Sequence, residues 1–293
     1  MTGDSVSTPA GGGVSRVIQR LKPLFPPALW KGLTGPYWWW YNRARHRLAA
    51  VYDPRLRYSR VRLEQLRDSH RGERCFILGN GPSLAKMDLS RLRSEPTFGL
   101  NRVYLLFPSM GFSTTYFVSV NTLVIGQSAS QIKSLAMPKF ITWRARGALK
   151  GDERVMFLDT DYTGDLTFAT DVIGRVYEGS TVTYVALQLA YYMGFENVIL
   201  IGVDHTFQAT GTPNVTVVSE GRDPDHFAPD YFPAGFKWQL PDLRASERAY
   251  HLARETFEAD GRRVLDATVS GQLQIFPKVD FDQLFDGSNA AGG

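Results

Sequence analysis

Cys75-Phe76-Ile77-Leu78-Gly79-Asn80-Gly81-Pro82-Ser83-Leu84 is the stretch from which the rest of the chain is read. Its apolar run has the length and composition of a buried strand, and it stops at two glycines. Pro82 suits the first turn of a helix, where its missing N–H costs nothing. Strand, tight loop, helix start is therefore predicted. Such a junction leaves backbone N–H groups at the positive end of a helix, and glycines let a ligand approach the main chain. Gly79, Asn80, Gly81, Pro82 and Ser83 thus form a candidate phosphate-binding loop. The spacing Gly-x-Gly-x-x-Leu lacks the third glycine of the dinucleotide fingerprint, so an ordinary strand-to-helix turn stays open beside it.

Downstream of this stretch, further apolar runs end in polar residues. Thr97–Leu100 reads as a short strand ending at Asn101-Arg102, and Tyr116–Val120 as another, ending at Asn121. Residues 139–143 and 155–158 are further strand candidates. Gly179-Ser180-Thr181 precedes a helical apolar pattern through Val185, Leu189 and Tyr192, with Ser180 or Thr181 as its cap and Gly194 as its left-handed stop. Val198–Val203 is then a strongly apolar strand ending in the carboxylate of Asp204. Helices alternating with buried strands predict an α/β, Rossmann-like domain with a mostly parallel sheet and helices on both faces.

Residues 205–243 are rich in Gly, Pro, Asp and aromatics and contain His205, His226 and Tyr231; a loop of this length is expected to be a lid, a binding element or simply mobile. A helix over 245–260 and a last strand over 263–268 complete the domain. The predicted organisation is a disordered tail (1–15), a basic, aromatic N-terminal helical segment (16–73), the Rossmann-like nucleotide-binding domain (74–283) and a frayed tail (284–293).

Charge is unevenly spread. The net charge is +4, but residues 1–74 carry 14 Lys or Arg against 5 Asp or Glu, which leaves the remainder acidic. Pro36-Tyr37-Trp38-Trp39-Trp40-Tyr41, followed by Arg43, Arg45 and Arg47, suits a membrane interface, or else rings that cap the main domain. Residues 16–57 are accordingly a candidate contact for an anionic membrane surface. Nothing resembles a base-reading module, so nucleic acid is not an expected partner. With no long apolar run and a single cysteine, Cys75, the expected setting is cytoplasmic, peripheral at the inner face of the membrane, with Cys75 as a core residue.

The candidate site residues converge. Gly79–Ser83, Asn101-Arg102, Gly179-Ser180-Thr181 and Asp204 all fall at strand ends or helix starts on one edge of the predicted sheet, where two helix N-termini suit phosphate and the polar side chains suit a ribose or base. His205 follows Asp204 directly, and His226 lies on the long loop; both are candidate bases.

On these residues the sequence resembles the 6-hydroxymethylpterin diphosphokinase MptE-like superfamily, with which the bacterial sialyltransferases share the order of motifs. The likeness spans roughly residues 70–280. Resemblance to the sialyltransferases implies a cytidine nucleotide-sugar donor held by Asn80, Asn101, Ser180 and Asp204, a glycan or lipid-linked acceptor, a histidine base, and no metal or tightly bound cofactor. The pattern departs at Thr206 and Phe207, where a tyrosine is expected, and at Arg244, where a histidine is expected. Resemblance to the diphosphokinases implies ATP and magnesium instead, with Asp204 as the available metal ligand. The neutral Asn101 favours glycosyl transfer. A nucleotide-binding module without catalysis is the remaining alternative.

Overall fold

The structure is a computed structural model that describes residues 52–162, 166–208 and 211–286. The tail 1–15, the aromatic–arginine block and residues 287–293 lie outside the described residues, as does nearly all of the membrane candidate 16–57. The described residues from Asp53 onward form one compact unit.

Helix α1 (Pro54–Leu66) opens it, capped by Asp53, whose side chain accepts from the Arg55 N–H. The strands that follow are β1 (Arg74–Leu78), β2 (Thr97–Leu100), β3 (Tyr116–Ser119), β4 (Lys139–Thr142), β5 (Val155–Asp161) and β6 (Arg175–Tyr177). Between them lie helices α2 (Phe107–Met110), α3 (Thr122–Gln127) and α4 (Ala129–Ser134). Helix α5 (Val182–Tyr192), strand β7 (Asn197–Ile201), the hairpin β8 (Thr216–Val218) and β9 (Lys237–Gln239), helix α6 (Leu243–Ala259) and strand β10 (Arg263–Asp266) complete the order.

The main sheet has eight strands in the order β10-β7-β1-β2-β3-β4-β5-β6. Each of its pairings is parallel. Parallel strands buried on both faces read as near-continuous apolar runs, and β2, β3 and β4 are buried at every residue. The chain steps outward from β1 to β6 and returns to place β7 on the other flank of β1. Right-handed crossovers put the outward connections on one face and α5 and α6 on the other. Cys75 and Ile77 of β1 and Val198 and Leu200 of β7 accordingly pack with Val185 and Leu189 of α5 and Ala253 and Phe257 of α6. Opposite them, Phe76 meets the rings of Phe281 and Phe285. This is the expected α/β, Rossmann-like architecture.

Several local expectations are corrected. Pro82 does start a turn, but a five-residue 3-10 turn ending at Lys86 rather than an α-helix. Strand β6 falls in a stretch with no strand signal: Gln188 of α5 holds it, accepting from the N–H groups of Tyr177 (3.1 Å) and Ala169 (3.0 Å) and donating to the Tyr177 carbonyl (2.7 Å). Residues 284–286 do not fray. Arg74 donates to the Leu284 carbonyl at 2.9 Å, and Phe285 stacks on Phe76. Within the long loop, where the sequence leaves a lid, a binding element or a mobile segment open, β8 and β9 form a hairpin and Tyr231, Phe232 and Phe236 pack against Val124 of α3.

Candidate functional site

β1 and β7 are adjacent where the strand order reverses, and a sheet of this kind opens a crevice beyond the carboxyl ends of its strands at that point. The loop after β1 is bound tightly to the loop after β7. Gly79 N–H donates to Ile201 O at 2.8 Å and Gly81 N–H to Gly202 O at 2.9 Å. A Cβ at Gly79 would lie 2.6 Å from the Gly202 carbonyl carbon, so only glycine admits this approach.

Asp204 closes the junction. Its carboxylate accepts from the Ser83 N–H at 3.0 Å and from the Ser83 hydroxyl at 2.6 Å. The backbone donor offered to a phosphate in the sequence reading is thereby occupied from within, and a 3-10 turn of five residues adds little dipole. The Gly79, Gly81 and Ser83 N–H groups of the β1 loop are thus all paired within the protein.

The other helix start is as expected in type. Gly179 and Ser180 are both left-handed, with φ of 51° and 62°, and they turn the chain into α5. Thr181, not Ser180, is the N-cap, accepting from the Thr183 N–H at 3.3 Å. Beside it stands the Tyr250 hydroxyl of α6, 3.4 Å from Thr181 Oγ1. Burial raises this phenol above its ordinary value, so it remains a donor.

A cavity of about 170 Å³ at this edge is lined by Gly79, Asn80, Gly81, Asn101, Ser180, Thr181, Asp204, His205 and His226, which the sequence had singled out. It is also lined by Asp225, Asp242, Ser246 and Tyr250, which it had not. Pro82, Ser83, Arg102 and Gly179 are not part of this lining. Asn101, at the end of β2, is left-handed (φ 51°) and accepts from the Ser119 hydroxyl at 3.0 Å. Asn80 keeps a buried side-chain oxygen with no partner among the described residues. Such an acceptor can take a hydrogen bond from water or from a ligand hydroxyl or amine.

Arg102 is neither a surface cation nor a lining residue. It is buried, its guanidinium lies over the rings of Tyr231 (5.5 Å) and Phe236 (5.0 Å), and its Nε donates to the Tyr104 hydroxyl at 3.2 Å.

Each histidine is paired with a carboxylate absent from the sequence reading. His205, left-handed at φ 57°, places Nε2 3.0 Å from Glu247 of α6. His226 places Nδ1 2.9 and 2.8 Å from the two oxygens of Asp223. The Asp223-x-x-His226 spacing was available as a local signal; the Glu247 partner, 42 residues from His205, was not.

Both oxygens of Asp204 hold Ser83, Asp242 accepts from the Ala245 N–H at the start of α6, and Asp225 accepts from the Gln208 N–H. Among the described residues no three His, Cys, Asp or Glu side chains gather to hold a metal ion. No described helix is long and apolar enough to cross a membrane.

In an open α/β sheet, a polar crevice at the switch point is the place where ligands bind. The chain belongs to the 6-hydroxymethylpterin diphosphokinase MptE-like family, whose model matches residues 55–210. Membership supports a transferase. None of the curated proteins matches the chain. Among solved structures, it is similar to the MAf glycosyltransferase from Magnetospirillum magneticum AMB-1, at 10% identity and a TM-score of 0.45, over 77% of this chain and 38% of that one. This chain thus spans well under half the length of that protein.

Proposed function

We propose that the chain is a glycosyltransferase that uses a CMP-activated, sialic-acid-like sugar to extend a surface glycan. The observation that supports this reading most is the character of the cavity. Its hydrogen-bonding groups are neutral at Asn80, Asn101, Ser180 and Thr181, its acids are largely engaged, and no Lys or Arg is among the described residues that line it. ATP would need cations and magnesium to neutralise its triphosphate. The single phosphate of CMP needs only a few donors, which the start of α5 and the Tyr250 hydroxyl offer.

In this mechanism Asn80, Asn101, Ser180 and Thr181 hold the donor, with Asp204 shaping the wall from behind the β1 loop. A carboxylate-paired histidine, His205 or His226, takes the proton of an acceptor hydroxyl as its oxygen attacks the anomeric carbon. The phosphate leaves with the bonding electron pair. The acceptor is a glycan or lipid-linked sugar at the inner face of the membrane, to which residues 16–57 bring an otherwise cytoplasmic enzyme. No cofactor is tightly bound.

A thermal-shift panel of CMP, CDP, UDP, GDP and ATP, with and without magnesium, tests the reading. Stabilisation by CMP without metal, lost in Asn101→Ala, is expected. Stabilisation only by ATP with magnesium would replace it with the diphosphokinase reaction. CMP binding without turnover of any activated donor would leave a non-catalytic binding module. Retention of anionic vesicles by a chain lacking residues 1–57, equal to that of the full chain, would remove the membrane role.

A further inference from the structure

The loop that carries His226 is tied to both walls of the proposed nucleotide site. The Phe227 N–H donates to the Asn80 carbonyl at 3.0 Å, which fixes the loop to the end of β1. The Arg102 N–H donates to the Tyr231 hydroxyl at 3.3 Å, which fixes it to the end of β2, one residue from Asn101. Tyr231 in turn lies flat against the imidazole, with centroids 4.0 Å apart and planes within 1°. Phe232 meets that ring edge-on at 4.9 Å. The arrangement is a column: the Arg102 guanidinium, the Tyr231 ring, the His226 ring, and the carboxylate of Asp223 in the plane of the last.

Asp223 is itself held. It accepts from the Asp225 N–H at 3.0 Å, and its side chain is only 7% exposed. The pairing at Nδ1 leaves Nε2 as the imidazole nitrogen without a partner among the described residues, on a side chain that lines the cavity. A buried carboxylate on one ring nitrogen sets the tautomer, because the proton resides where it is hydrogen-bonded and the opposite nitrogen becomes the acceptor. His205 lacks this definition. Its partner Glu247 is 47% exposed, and its ring meets Tyr250 only at 6.5 Å.

We infer that His226 is the base of the two, and that Asp223 is its positioning residue, holding the imidazole as the Nδ1–H tautomer with Nε2 presented to the acceptor. This rests on the transfer reading given above. In the step, the acceptor O–H proton passes to Nε2, the acceptor oxygen bonds to the anomeric carbon, and the carbon–phosphate-oxygen bond breaks with its pair on the departing CMP. The imidazolium formed is stabilised by Asp223 and later returns its proton to water. The charged or titratable groups facing His226 are Asp223 on its own loop, Asp225 beside it and the Tyr231 phenol, with Arg102 on the far side of that phenol.

Two measurements on the full chain test the assignment. The first needs no substrate: nitrogen NMR of the histidine rings at a pH where His226 is neutral. An Nδ1–H tautomer in the wild type that reverts to Nε2–H in Asp223→Ala, with the amide spectrum otherwise retained, is expected. A wild-type Nε2–H tautomer overturns the inference whatever the enzyme proves to transfer. The second is CMP release from CMP-sialic acid. Asp223→Asn is expected to lower kcat about 100-fold with donor KM and the CMP thermal shift unchanged, Asp223→Glu to recover part of it, and added imidazole to restore turnover to His226→Gly. Wild-type rates in Asp223→Asn, or equal losses of kcat and CMP binding, would refute the positioning role. A wild type that shows the Nδ1–H tautomer but neither binds CMP nor releases it would sink the CMP-sugar reading and leave the tautomer assignment standing.

Discussion

Replacing Gly81 by alanine would place a Cβ 2.5 Å from Cγ of Asp204, and nearer still to Oδ2. The carboxylate cannot stay where it is. Moving it breaks the two hydrogen bonds that Ser83 makes to it, at 3.0 and 2.6 Å. Bonds to a charged acceptor each contribute about 1.5–3 kcal/mol. Asp204 is half-buried, and water replaces part of what it loses, whereas Ser83 is 2% exposed and its donors stay unpaired. The expected cost is therefore about 3 kcal/mol, read as a lower urea midpoint at unchanged slope. For a unit of this size it corresponds to a fall in Tm of about 6–12 °C. Removing the obstacle separates this mechanism from general backbone strain. In an Asp204→Ala background the oxygen and Cγ are gone, and Gly81→Ala should cost less than about 1 kcal/mol. A coupling below about 0.5 kcal/mol would refute the clasp as the reason for a glycine here.

Three further outcomes follow from the packing. Gln188→Leu, at a fully buried position, should destabilise by at least about 3 kcal/mol, since it strips partners from the Ala169 and Tyr177 N–H groups and the Tyr177 carbonyl; hydrogen exchange should show β6 loosening first. Lys139 and Asp152 form a buried pair at 2.9 Å, so Asp152→Asn should cost about 3–5 kcal/mol in denaturant titrations, while Lys139→Met with Asp152→Leu should recover most of it. Burial raises the phenols of Tyr184, Tyr231 and Tyr250 above the ordinary value of 10.0, so each contributes stability that is complete below that value and lost as pH rises beyond it. Urea midpoints should drop between pH values on either side of about 10, and Tyr184→Phe should flatten that drop.

How much was legible in the sequence followed from how local the cause was. The core strands were plain because parallel strands buried on both faces read as near-continuous apolar runs, as Phe98–Leu100 and Val198–Ile201 do. The Thr181 cap and the Gly194 stop were also written locally, and Gly194 has the left-handed φ of 89° that such a stop requires. Strand β6 was not, because its three residues are held by pairing with β5 and, at Tyr177, by Gln188, a side chain on another element. The pairing within the β1 loop was hidden for the same reason. Gly-x-Gly-Pro advertises free N–H groups, and only Asp204, 121 residues away from Ser83, shows that one is taken. Arg102 looked like a phosphate ligand beside Asn101, yet the aromatic residues that bury it come from the loop between β7 and α6. The site's edge was readable, and the partners of its two histidines were not.

The position of β7 has a consequence for synthesis. During translation β1 finds β2 within about 20 residues, but its other edge is filled only when Asn197–Ile201 emerges. At ribosomal rates of about 5–20 residues per second, that edge waits roughly 6–25 seconds. For that interval Phe76, Ile77 and Leu78 sit on an open strand with unpaired amides, the kind of edge along which nascent chains join one another. A chaperone that holds the growing chain until β7 has cleared the ribosome should raise soluble yield, and slowing elongation between residues 178 and 197 should lower it.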